Sequence, residues 1–269
     1  MPLTDLQRRV VEILGPFRTQ HNYAAGGAVL NLEWPRQSDD VDIFTDRANQ
    51  LLASVEPELQ ALRDNEFSVE ITAQYPDMVE AILRHFGFET KVQWFDDPES
   101  RRRFFPAFRD DVFGFRLHQA DLAVNKVLCA SRRRQAPRDA VDLVNIINRY
   151  STLGPLVWAV TGKDPRLAPP QIIRSIHGIA FGYSSEEIGA VRMASGERVT
   201  RQELRATLEP ALDAAHDYCD DIAPMDYGGY LFVDANGTPI EADDQMITNG
   251  EATAIAPKDF GITPVMENR

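Results

Sequence analysis

Residues 26–44 read GGAVLNLEWPRQSDDVDIF, a glycine pair followed after twelve residues by Asp40-Val41-Asp42. The stretch DVDIFT starts by alternating polar and apolar residues and is rich in β formers, which predicts a strand. On a strand, residues i and i+2 share a face, so Asp40 and Asp42 project together while Val41 and Ile43 turn to the core. Two carboxylates about 5 Å apart repel by roughly 3 kcal/mol at an effective dielectric of about 20. Basic neighbours, a retained proton or a bridging divalent cation would offset that. Hard oxygen ligands suit Mg²⁺, which takes one or two carboxylates and completes its shell with water and substrate phosphates. Such a site serves nucleotidyl and phosphoryl transfer, where the metal clamps an in-line displacement. Gly26 and Gly27 fit the same chemistry: without Cβ atoms, their backbone N–H groups can come close to phosphate oxygens. The plain alternative is a solvent-facing edge strand.

The elements that must position these residues follow from periodicity. Thr4-Asp5-Leu6-Gln7 is a capping-box pattern, and Leu6, Val10, Ile13 and Leu14 continue at helical spacing until Gly15-Pro16. NYAAGG reads as a short strand into a tight turn, AVLNLEW as one or two helical turns, and RANQLLASVEPELQALRD as an amphipathic helix interrupted by proline. FSVEITAQ and ETKVQWF read as strands. DMVEAILRHFG is ambiguous and is assigned to helix. After Pro106 the pattern turns helical: ADLAVNKVLCASRRR, RDAVDLVNIINRY, GPLVWAVTG, PPQIIRSIHGIA, SSEEIGAVRM, and a long helix from Thr200 as its N-cap. GGYLFVDANGTPIEA predicts a hairpin turning at Asn236-Gly237. The expected fold is α+β, a mixed sheet with flanking helices followed by a helical C-terminal region. Three parts are expected: a core over 1–115, a helical region over 116–222 and an acidic hairpin and tail over 223–269.

The chain has 269 residues, 43% of them hydrophobic and 26% charged, ordinary for a globular protein with a real core. No basic start leads into an apolar run and no apolar stretch is long enough to span a bilayer, so neither a signal peptide nor a membrane span is expected. Cys129 and Cys219 are isolated and make neither a disulfide framework nor a zinc site, which points to the reducing cytosol. The five histidines have no metal-ligand spacing. A net charge of −13 argues against a surface that grips nucleic acid throughout. The charge is uneven: from Arg201 onward fourteen acids face four bases, whereas between Lys91 and Asp142 eleven bases face eight acids. A polyanionic ligand is therefore expected to meet the first half.

A glycine pair, twelve residues and Asp-x-Asp on a strand is the spacing of the polymerase-β-like nucleotidyltransferases. GGAVLNLEWPRQSDDVDIF resembles the first motif of the AbiEii/AbiGii-type nucleotidyltransferase toxins, and DLAVNKVLCASRRRQAPRDAVDL resembles their helix–arginine–helix segment. The resemblance spans roughly residues 20–170. It implies that Asp40 and Asp42 hold the metal, Mg²⁺ or alternatively Mn²⁺. Ser38 would support them, Arg36 and Lys126 would meet phosphates, and Arg138, Asp139 and Asp142 would complete the pocket. Two departures stand out. Position 28 is alanine where relatives carry a hydroxyl, and the later strand that usually bears a third carboxylate has Gln93, leaving Asp96 or Asp139 as substitutes. The implied activity moves a nucleoside monophosphate from an NTP to an acceptor. The implied setting is a bacterial toxin–antitoxin or phage-defence pair, with an RNA end such as that of tRNA as acceptor and an antitoxin protein as partner. The alternatives are an antibiotic-modifying transferase and a catalytically silent domain that binds nucleotide or a partner.

Overall fold

The computed structural model describes residues 3–194, 196 and 198–262; residues 263–269, the end of the expected tail, lie outside the described residues. In chain order the elements begin with α1 (Asp5–Leu14), β1 (Asn22–Ala25), α2 (Gly26–Leu30), β2 (Asp40–Thr45), α3 (Leu51–Asp64), β3 (Ser68–Gln74), β4 (Met78–His85) and β5 (Phe88–Phe95). There follow α4 (Pro98–Arg101), β6 (Arg102–Arg103), β7 (Phe108–Asp110), β8 (Gly114–Arg116), α5 (Gln119–Arg132), α6 (Pro137–Arg149), α7 (Leu153–Lys163) and α8 (Pro169–Ala180). The last are α9 (Ser185–Gly189), α10 (Arg201–Asp217), β9 (Leu231–Val233), α11 (Asp244–Thr248), β10 (Thr253–Ile255) and β11 (Lys258–Asp259). They form two compact units: unit 1 runs to His118 and includes the segment from Lys258 onward, and unit 2 is Gln119–Pro257. Among the described residues no helix is long and apolar enough to cross a membrane.

Unit 1 is an α+β structure around a seven-stranded mixed sheet in the order β3-β4-β5-β2-β1-β8-β7. β2 lies parallel to β5 and antiparallel to β1. Val41, Ile43, Val92, Trp94, Val79, Ala81 and Leu83 are all 3% exposed or less and form one face of the sheet. α1 and α3 pack against that side, with Val10, Leu14, Val55, Leu59 and Leu62 buried. The expected capping box closes α1: Thr4 Oγ1 accepts from the Gln7 amide at 3.1 Å, and Gln7 Oε1 accepts from the Thr4 amide at 3.0 Å. Pro57 sits within α3, which runs unbroken past it.

Met78–His85 is a strand, not the expected helix. Val79, Ile82, Leu83 and Phe86 fall at helical spacing, but Val79, Ala81, Leu83 and His85 are the buried set, and pairing with strands on both sides decides the conformation. The first helical turn after β1 starts at the glycine pair itself rather than beyond it.

Unit 2 packs α5 against α6, α7 and α8, and α10 against α6, α7 and α8. Thr200 caps α10 as expected, and a π-helical turn, Tyr218–Ile222, extends it. A Cβ on Gly154 would stand 2.7 Å from the Tyr218 ring, so α7 approaches α10 closely only because that residue is glycine. The expected hairpin closes at a Val233–Pro239 bridge, with Gly237 at φ +78° in its turn. The other edge of β9 pairs with β10, some twenty residues on.

Two buried arginines fix the ends of the sheet. Arg103 grips Asp46, one residue past β2, through two N–H···O bonds of 2.7 and 2.8 Å. It also donates to Tyr23 Oη at 2.9 Å and lies over the rings of Tyr23 and Phe260. Arg18 pairs with Glu58, whose Oε2 accepts from Trp94 Nε1 at 2.8 Å. Removing one partner of a buried ion pair strands the other, at a cost of about 3–5 kcal/mol. Asp46→Asn is therefore expected to lower unfolding stability by about that amount in urea titrations, whereas Arg84→Ala, whose acidic partners are surface residues, costs under about 1 kcal/mol.

Candidate functional site

β2 turns Asp40 and Asp42 to the face opposite Val41 and Ile43. Asp40 is buried, Asp42 half-buried and Asp39 exposed. Ser38 Oγ donates to Asp40 Oδ1 at 2.9 Å, and Gln7 Nε2 of α1 donates to the Ser38 carbonyl at 2.9 Å, so the loop before β2 is held from the helix. Ala25 pairs with Asp42 across β1 and β2, which brings the glycine turn against the acids. Gly26 has φ +71°, and a Cβ there would overlap the Asp42 carboxylate. A Cβ on Gly27 would overlap the Arg36 guanidinium and stand 2.9 Å from Ser38 Oγ. The Arg36 side chain is fully buried and donates to the Gln37 carbonyl at 3.1 Å. Gly26, Gly27, Arg36, Ser38, Asp40 and Asp42, drawn from one sequence motif, thus form one cluster. A Cβ at either glycine would displace the facing side chain, and Gly26 also needs its left-handed backbone.

β5 supplies the neighbouring residues. Asp40 is level with Lys91 and Asp42 with Gln93, and Gln93 is in turn level with Glu80 of β4. Lys91 Nζ stands 4.0 Å from Asp40 Oδ2 and 3.2 Å from Glu80 Oε2. Gln93 Nε2 donates to Glu80 Oε2 at 2.8 Å and Thr72 Oγ1 to Glu80 Oε1 at 2.7 Å. The Thr72 hydroxyl first, then Lys91 and Gln93, hold the Glu80 carboxyl below the usual range. The position level with Asp42 is thus an amide, with a carboxylate one strand further out. Lys91 and Glu80 are residues the sequence reading missed. Lys91-Val92-Gln93 repeats the i, i+2 spacing of the aspartates and could have disclosed the lysine, while assigning Met78–His85 to helix hid the glutamate. Asp96 is committed elsewhere: it pairs with Arg101 and accepts from the Asn49 amide at 2.9 Å. Among the described residues no group of three or more His, Cys, Asp or Glu side chains is placed to hold a metal. A cation here would rest on Asp40 and Asp42, with water and substrate oxygens completing its shell, as suits Mg²⁺.

Unit 2 holds the other expected residues. Lys126 of α5 is 8% exposed, and its Nζ lies 2.7 Å from Asp139 Oδ1 and 3.0 Å from Asp142 Oδ2, both on α6. Asp139 and Asp142 are 1% and 0% exposed, and Asp139 Oδ2 has no hydrogen-bond partner. A second buried lysine, Lys163, pairs with Asp121 at 2.8 Å and donates to Asn125 Oδ1 at 2.7 Å. Arg138, in the first turn of α6, is exposed, and nothing places it with Lys126.

No family model matches the chain, and no curated protein matches it significantly. Among solved structures it is similar to MenT4, a nucleotidyltransferase toxin from Mycobacterium tuberculosis H37Rv, at 16% identity and TM-score 0.50, over 79% of this chain and 82% of that one. It is also similar to a candidate nucleotidyltransferase from H. pylori, at 16% identity and TM-score 0.48, over 81% of this chain and 98% of that one. At such identity the likeness to MenT4 is one of fold: a mixed sheet with flanking helices, followed by further helices.

Two substitutions test this geometry. Gly26→Ala combines left-handed backbone strain with the Asp42 overlap, whereas Gly87→Ala has the strain alone, at φ +84° with nothing within 4 Å of the added Cβ. Gly87→Ala is expected to lose about 1 kcal/mol in urea unfolding and Gly26→Ala at least about 1 kcal/mol more. Lys126→Met leaves two buried carboxylates facing each other and is expected to cost about 3–5 kcal/mol. Adding Asp139→Asn and Asp142→Asn should recover most of that in thermal melts.

Proposed function

We propose that the chain is a Mg²⁺-dependent nucleotidyltransferase that moves a nucleoside monophosphate from an NTP to an acceptor, with pyrophosphate leaving. The observation that carries this reading is the glycine pair seated against Asp42, Arg36 and Ser38, where an added Cβ at either position would force the facing side chain to shift. A strand that merely faced solvent would not need it. The fold shared with MenT4 supports the reading.

Asp40 and Asp42 would hold the metal, which when bound supplies charge neutralisation at the phosphates and orients them for in-line attack. Ser38 keeps Asp40 in place by donating to Oδ1. Lys91 offsets the like charge of the acids from the neighbouring strand. Gly26 and Gly27 let a phosphate come up to the backbone, and Arg36, buried beside Gly27, adds a positive charge there. In unit 2 Lys126 is bound by two carboxylates, so its role toward phosphate involves exchanging one of them for a phosphate oxygen. By resemblance to the AbiEii/AbiGii-type proteins, Arg138, Asp139 and Asp142 would complete the pocket. The finer reading, by resemblance to the AbiEii/AbiGii-type proteins, is a toxin of a bacterial toxin–antitoxin or phage-defence pair, acting on an RNA end with an antitoxin protein as partner. A second reading, a silent nucleotide-binding domain, is favoured by one observation: Gln93 is level with Asp42 where a third acid would complete the site.

The test incubates the protein with Mg²⁺, each labelled NTP, and either total tRNA or an aminoglycoside panel. Label is expected to pass to RNA, and Asp40→Ala is expected to lower the rate by at least about 100-fold. Transfer to drug would replace the acceptor class. Nucleotide binding without transfer to any acceptor would leave the silent domain standing.

A further inference from the structure

Unit 2 contains a cleft of about 590 Å³ that the transferase reading does not use. That size lies within the range of small-molecule sites, roughly 300–1,000 Å³, but its walls are not apolar. Three arginines line it: Arg132 at the end of α5, Arg134 in the loop that follows, and Arg174 on α8; Ser175 adds a hydroxyl. Among the described residues neither Arg134 nor Arg174 has an acidic partner, and both are exposed. Arg132 pairs with Asp164, a carboxylate that Arg166 also meets, at 2.8 Å. Glu187, on the rim, is committed to its own helix: its carboxylate accepts from the Ser184 amide and hydroxyl, both at 2.8 Å.

The cleft is preshaped. Tyr183 Oη donates to the Arg133 carbonyl and accepts from the Ala136 amide, each at 3.2 Å, which pins the loop carrying Arg134. A Cβ on Gly178 would meet nothing within 4 Å, so the space beside α8 stays open down to the backbone. In a chain of net charge −13, several guanidiniums converging on one concavity mark a place for an anion. Planar guanidiniums match phosphate oxygens two at a time.

We propose that this cleft binds a row of phosphates, either the backbone of a short single nucleic-acid strand or a free oligophosphate. The inference does not depend on the transferase reading. Its test uses full-length protein in EDTA, without NTP, so that the Asp40–Asp42 site takes no part. Fluorescence anisotropy follows a fluorescein-labelled octa-uridylate, with inorganic tripolyphosphate as competitor and, separately, as ligand in calorimetry. The double variant Arg134→Ser/Arg174→Ser is expected to weaken octa-uridylate binding at least about tenfold and to reduce the slope of log affinity against log salt by about 1.4, since each lost contact to a single strand removes about 0.7. Arg63→Ser/Arg149→Ser, an equal loss of charge at residues that do not line the cleft, is expected to change the slope little. Competition by tripolyphosphate supports the shared chemistry, and tripolyphosphate binding without octa-uridylate binding assigns the cleft to free oligophosphate. Binding of neither, or equal weakening by both double variants, overturns the proposal.

Discussion

Asp40 and Asp42 lie on the same face of β2, and Lys91 on the adjoining strand sets a cation beside Asp40. The lysine is shared, at 4.0 Å from Asp40 and 3.2 Å from Glu80. Two carboxylates on one strand face favour a bound cation, which would offset their like charge. The glycine pair tightens the constraint from the other side, because with Gly26 packed on the Asp42 carboxylate that side chain cannot swing away from Asp40 toward the turn.

β2 is anchored at both ends. Past its C-terminal end, Asp46 is locked to Arg103, and before its N-terminal end the Ser38 carbonyl is locked to Gln7. Trp94 of β5, on the core side of the same sheet, is tied to the Arg18–Glu58 pair. Buried ion pairs seldom contribute net stability over an apolar core. What these supply is position: each fixes one strand end to a partner of single geometry, so the spacing of the carboxylates is set by the core and not by the carboxylates themselves.

Much of this was readable in the chain. The alternation of DVDIFT, the capping box at Thr4, the N-cap at Thr200 and the helices from Gln119 onward rest on local signals and appear as expected, whereas the short strands β7 and β8 after Pro106 were missed. What failed depended on partners far away in sequence. Ile82 falls on the open face of β4, which breaks the two-residue alternation and leaves Val79, Ile82, Leu83 and Phe86 looking like a helix stripe; only the flanking strands β3 and β5 decide otherwise. Glu80 was lost with that error. Arg103 read as one member of a basic run, yet it is 0% exposed, because Asp46 and Tyr23, both distant in the chain, receive it. The pairing of β9 with β10 was hidden for the same reason: its partner lies beyond the local hairpin.

The basic stretch from Lys91 to Asp142 shows how far a charge count reaches. As a sum it predicts where a polyanion should go, but the structure divides that sum into groups with different consequences. Arg101, Arg103 and Arg116 are consumed by aspartates of their own unit. Lys126 is set against acids as well, with its Nζ between Asp139 and Asp142. Arg132 and Arg134 line a concavity with Arg174, which the count did not include because it lies later in the chain. Lys126 is thus buried against acids, whereas Arg134 and Arg174 are exposed at the rim of a concavity. A residue's charge in the sequence gives its sign; whether that charge is available to a ligand depends on what the fold has already set against it.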